Sequence, residues 1–174
     1  MSNVDFLTIE KSTFLNSAKY AFKFILLLGV VTMAPLFRQQ IITGPIVNAT
    51  LFISAFLLGT PSAILIGLIP SVIALSVGLL PVVLAPMIPF IMLGNTILIV
   101  TFGYLKERNY WLGVISASVL KFIFLFSTTS IVIDLLLKKE IASKVAIMLG
   151  WPQLITALVG GLIAYLFLRG IKRV

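Results

Sequence analysis

The chain has 174 residues, of which 60% are hydrophobic and 10% charged, and a mean hydropathy of +1.20. A soluble domain has about 45–50% apolar and about 25% charged residues, so a soluble globular fold is excluded. Cysteine and histidine are absent, which removes disulfides, thiol chemistry, Cys/His zinc sites and histidine acid–base catalysis, and the net charge of +8 reports membrane topology rather than nucleic-acid binding.

Residues 1–17 are polar to amphipathic. Val4, Phe6, Leu7 and Ile9 offer an apolar side, and a short cytoplasmic or interfacial helix is expected there. The first span runs from about Tyr20 to Phe37 and ends at Arg38, Gln39 and Gln40. The second, from about Pro45 to Leu58, is short, and it crosses only if the residues before Pro45 contribute or the helix stands upright. Gly59-Thr60-Pro61-Ser62 is a turn, and the third span follows from about Ser62 to Leu80. The fourth opens with Leu84-Ala-Pro-Met-Ile-Pro-Phe and ends near Leu105. Pro86 and Pro89 sit where a helix tolerates proline, because its first N–H groups have no intrahelical acceptor. Lys106-Glu107-Arg108-Asn109 is a charged loop before a fifth span from about Trp111 to Leu137, too long for one bilayer crossing. Lys138 to Gly150 is a polar loop, and the sixth span runs from about Trp151 to Leu168.

The expected fold is therefore an all-α integral membrane protein, one domain over 1–174, built as a bundle of six transmembrane helices. An even number of spans puts both termini on one side. That side carries Lys11, Lys19, Lys23, Lys106, Arg108, Arg169, Lys172 and Arg173, against Arg38, Lys138, Lys139 and Lys144 opposite, so both termini are expected to be cytoplasmic. Trp111 and Trp151 fall at the two interfaces, where indole rings prefer to lie.

Few polar groups enter the spans. Asn95 lies about 14 Å into the fourth helix at 1.5 Å per residue, and an amide at that depth needs a partner. Lys121 lies about ten residues into the fifth, where a lysine costs about 2.5–3.5 kcal/mol. It reaches the depth of Asn95 and bonds it or a ligand, or else it snorkels to the inner surface. Ser127, Thr128, Thr129 and Ser130 either line an outer polar pocket or satisfy their own backbone, with Thr128 the pocket candidate. Arg38, Asn48, Gln153 and Trp151 are expected at the same outer level. Arg38 is there to grip an acidic group or simply to be solvated. Met33, Met87 and Met92 line an apolar site or pack in the core, and Met92 is the binding candidate. Asp134 and Lys138 are spaced as an exposed i,i+4 pair.

Ala63, Gly67 and Ser71 recur at spacing four in the third span, continued by Ala74 and Gly78. Such a stripe lets another helix backbone approach closely, either from a separate partner or from within the bundle. The sixth span carries the same device in Ala157-x-x-x-Gly161 and Gly160-x-x-x-Ala164. No phosphate-binding Gly-rich loop, mid-membrane carboxylate or nucleophile–base pair is evident, so neither ATP hydrolysis, ordinary proton coupling nor enzymatic chemistry is expected, and no cofactor is called for.

The chain resembles the substrate-binding S component of energy-coupling factor (ECF) vitamin transporters. The resemblance rests on the size, the six spans, Asn48-Ala-Thr-Leu with Leu-Leu-Gly-Thr-Pro-Ser-Ala, the stretch from Ala85 to Asn95, and the sixth-span start from Gln153 to Gly161. It implies a bacterial plasma membrane, a transmembrane T component and two ATPase subunits as partners, and an outer-half pocket. That pocket is formed by the fourth to sixth spans and the loops after the first, third and fifth. The docking surface for the T component is implied at Ala63, Gly67 and Ser71. The family's first-span alanine pair is not cleanly present, and Gly29-x-x-x-Met33 followed by Ala34 is its nearest match. The Pro-Met-Ile-Pro-Phe segment resembles S components associated with tetrapyrrole-like ligands such as haem or cobalamin. The competing class is a small membrane scaffold or a facilitator channel without ATP-driven partners.

Overall fold

In the computed structural model the backbone is described for residues 3–136 and 149–174, and side chains for 15–131 and 149–174. The described residues are helical and form no strand. Helix α1 spans Asn3–Met33, α2 Gln40–Leu57, α3 Thr60–Gly67, α4 Ile69–Ser76, α5 Ile88–Leu105, α6 Tyr110–Leu136 and α7 Trp151–Gly170. Short 3-10 turns, Ala34–Phe37 and Val82–Met87, follow α1 and precede α5. Five helical stretches are long and apolar enough to cross a membrane, and α3 with α4 supplies a shorter sixth layer. The protein is an all-α, multi-pass membrane protein, as its hydropathy requires.

Three details depart from the sequence expectations. The N-terminal segment does not form a separate helix, because α1 runs unbroken from Asn3. The second helix starts at Gln40, so Pro45 lies inside it, little more than a turn from its N-terminus. The third span is two helices interrupted at Leu68, because Pro70 has no N–H with which to continue the ladder. The expected Asp134–Lys138 pair and the loop charges Lys138, Lys139 and Lys144 lie outside the described residues, as do the side chains of Val4, Phe6, Leu7 and Ile9.

The tightest packing joins α2 to α7 and α5 to α6. A Cβ on Gly160 of α7 would lie 2.7 Å from the Asn48 Cβ and 2.8 Å from the Ala49 nitrogen. Glycine is therefore what allows α7 to seat directly on α2. Ala157, Gly160, Gly161 and Ala164 are all buried, so the small residues of the sixth span serve packing within the chain.

The end of the bundle that carries the α5–α6 loop is filled by aromatic rings. Phe52 and Phe102 are fully buried and meet edge to face at 4.9 Å, and Phe102 meets Tyr110 at 5.4 Å. The Tyr110 hydroxyl donates to the Gly161 carbonyl at 2.8 Å, which satisfies a phenol taken out of water. Lys106 folds back so that its Nζ donates to the Ala55 carbonyl at 3.0 Å, capping the C-terminal turn of α2. Partial burial pulls its ammonium below the usual lysine range, an effect offset in part by Glu107. The outward faces are apolar: Phe22 and Ile25 of α1, Ile123 and Phe126 of α6, and Leu166 and Phe167 of α7 are exposed from the bundle, as a hydrocarbon solvent demands.

Candidate functional site

Three helices each bring one polar side chain to the same buried point. Asn48 comes from α2, Asn95 from α5 and Lys121 from α6, and all three are at most 3% exposed. The Lys121 Nζ donates to Asn48 Oδ1 at 2.7 Å and to Asn95 Oδ1 at 2.8 Å. Each amide spends its own N–H on a backbone carbonyl. Asn48 Nδ2 donates to the Gly44 oxygen one turn back at 2.9 Å, and Asn95 Nδ2 donates to the Gly67 oxygen of α3 at 2.8 Å. These bonds fix the amide orientation, since a flip would set an NH₂ group against the ammonium and two oxygens against each other.

The local folding that produces this point can be traced. Gly67 ends α3 beside the interruption at Leu68, and its carbonyl is where Asn95 binds. A Cβ on Gly67 would meet the Ile99 Cδ1 at 2.9 Å and the Asn95 Cβ at 3.5 Å, so its absence lets α5 come close enough for that bond. Gly94, one residue before Asn95, faces Leu125 across the α5–α6 contact and keeps Lys121 within reach of Asn95.

Above the triad, toward the ends that carry the α1–α2 turn and the N-terminus of α7, lies a cavity of about 100 Å³. Asn48, Asn95 and Lys121 border it, with Gln153 of α7 and Gln40 of α2 among its other polar residues. The remaining wall is mostly apolar, including Val47, Pro70, Ala74, Leu80 and Ile91. Thr43 and Ser71 also border it, but their hydroxyls donate to the Ala34 and Leu68 carbonyls.

Of the residues predicted to bind substrate, Asn95, Lys121, Asn48 and Gln153 come together at this cavity. Lys121 does not snorkel to a surface, and Asn48 lies deep at the triad rather than at the outer level. Arg38, Thr128 and Met92 do not line the cavity. Arg38 takes a left-handed turn conformation after the 3-10 turn and is exposed. Thr128 returns its hydroxyl to the Phe124 and Leu125 carbonyls. Met92 is half-buried elsewhere, Met33 is exposed, and Met87 packs in a separate apolar cluster with Leu80, Leu84 and Leu149.

Of the two readings of the small-residue stripe in the third span, the burial favours packing within the bundle. Ala63, Gly67 and Ser71 are buried within the chain, with Gly67 against α5, so they present no free face to a separate partner. Ala34 is likewise buried, whereas Gly29 is exposed with open space around it. Ser118 had no distinct sequence signal, and Thr129 belongs to the run 127–130. Ser118 Oγ, one turn before Lys121, and Thr129 Oγ1 are buried without a hydrogen-bond partner among the described residues. Comparison with family models, with curated proteins and with solved structures finds no match to this chain.

Proposed function

We propose that this chain is the substrate-binding membrane subunit of an importer of the energy-coupling factor type, set in a bacterial plasma membrane with both termini cytoplasmic. The observation that carries this reading is a cavity open toward one end of the bundle and sealed at the other. Its lining takes Pro35 and Leu79 from the ends of the first and third spans, Leu149 from the segment before the sixth, and Asn95 and Lys121 from the interior of the fourth and fifth. Under the proposed orientation the mouth lies on the outer side, opposite Lys106, Arg108 and Arg169. A blind, largely apolar cleft with a few convergent polar groups is the usual form of a small-molecule site.

The chain binds and presents a solute, while a transmembrane T component and two ATPase subunits supply the energy. A facilitator channel is less well supported, because the path below Lys121 is filled by Phe52, Phe102 and Tyr110. The cavity volume of about 100 Å³ falls below the roughly 300–1,000 Å³ of sites for drug-sized ligands, which favours a compact solute over a tetrapyrrole. The experiment is affinity purification of the tagged chain from its native membranes in mild detergent. ATPase subunits should come with it in stoichiometric amounts, and their absence would leave the chain a scaffold or a stand-alone binder.

A further inference from the structure

We propose that the cavity receives a small monoanion, a carboxylate on a compact apolar body, with Lys121 as its counter-ion. This rests on the reading that the cavity is a ligand site, and it adds the chemical class of the ligand.

The argument begins with the hydrogens of the lysine. An ammonium has three to donate, and Lys121 places two, on Asn48 and Asn95. The third has no acceptor among the described residues, while Lys121 is 3% exposed and borders the cavity. The two amides turn the negative ends of their dipoles toward Nζ and are held there by Gly44 and Gly67. Two neutral oxygens do not neutralise a charge. No described residue lining the cavity is acidic. Glu107 lies in the loop before α6 at the far end, and Asp134 is about 20 Å further along the α6 axis at 1.5 Å per residue. A charge so placed is normally paired; among the described residues no carboxylate pairs it, and that counter-ion is assigned to whatever enters.

The other polar groups narrow the class. Thr43 and Ser71 have already spent their hydroxyl hydrogens, and one cation with one free donor suits a single negative charge. The walls around it are mostly aliphatic, and the volume holds a body about the size of one ring or a short branched chain.

The test uses the full chain in phosphatidylcholine nanodiscs and equilibrium dialysis of radiolabelled benzoate, benzamide and benzylamine. Benzoate should bind at least about tenfold more tightly than either isostere, since a charge-assisted contact exceeds a neutral one. Lys121→Met should erase that preference. Asn48→Asp, which supplies an internal carboxylate to the same Nζ, should erase it as well, and it covers the case in which the methionine variant fails to fold. Equal binding of benzoate and benzamide overturns the anion assignment but leaves a ligand site standing. Binding of none of the three overturns it too, and ATPase co-purification then decides separately whether the importer reading survives. A benzoate preference that persists in both variants removes Lys121 from the assignment. Loss of benzoate binding when phosphatidylglycerol replaces half the lipid would show that a lipid anion takes the site, and would overturn the compact carboxylate.

Discussion

Replacing Asn95 by leucine removes two bonds at once, the one it donates to Gly67 and the one it accepts from Lys121. The second is charge-assisted and worth about 1.5–3 kcal/mol, the first about 0.5–1.5, so values from soluble proteins place the loss near 2–4 kcal/mol. Interhelical hydrogen bonds in membranes average about 0.6 kcal/mol, which sets a lower figure near 1 kcal/mol for the pair. The informative quantity is the coupling with Lys121→Met. In the methionine background no ammonium is left short of an acceptor, and Asn95→Leu costs only the Gly67 bond. The double variant should therefore be more stable than the sum of the singles predicts, by about 1 kcal/mol or more. Reversible unfolding in mixed micelles, followed by far-ultraviolet circular dichroism, measures all four proteins. Additivity within about 0.5 kcal/mol would mean that the two side chains act independently, and the triad would then be a coincidence of rotamers.

Gly160→Val should destabilise the bundle by about 1–3 kcal/mol or more, because the new methyls meet Asn48 and the α2 backbone and not a flexible side-chain tip; unchanged unfolding would refute the α2–α7 contact. The proposed orientation predicts that Ile41→Cys, 83% exposed at the cavity end, reacts with an impermeant thiol reagent in intact cells while Arg173→Cys does not; the absence of native cysteine makes both readings clean, and the reverse pattern inverts the topology.

The spans were legible because hydropathy over 18 or more residues leaves few alternatives. Asn95 and Lys121 were legible as well, since depth along a helix follows from its start and both starts were marked, one by prolines and one by a charged loop. Asn48 was misplaced for the same reason. With α2 started at Pro45 it sits a turn from the surface. With α2 started at Gln40 it lies about 12 Å down, level with the other two. Proline inside the first turns disguised that start. The stripe at Ala63, Gly67 and Ser71 shows a different limit. Small residues announce that a backbone will come close but not whose, and here it is α5 of the same chain. Thr128 and Ser130 in the run at 127–130 gave no site signal because a helical Ser or Thr can return its proton to the preceding turn, as these two do.

The placement of the lysine is best understood as a conflict between stability and binding. A methionine at position 121 would fill similar volume in an apolar bundle without the cost of burying a charge, and burial of an ion pair is seldom a net gain even when both partners are present. Here no described residue supplies the second ion and two asparagines stand in for it, Asn48 held by the Gly44 carbonyl of its own helix and Asn95 by the Gly67 carbonyl of α3. That scaffold keeps the amine fixed and partly solvated by protein dipoles without neutralising it. It is a poor arrangement for stability alone and a good one for a site that must bind an anion without rearranging first, because the donor is already oriented and the aliphatic wall already formed. The same logic links occupancy to folding. A ligand that completes the ion pair should raise the unfolding free energy by RT ln(1 + [L]/Kd), about 2.7 kcal/mol at a hundredfold excess over Kd.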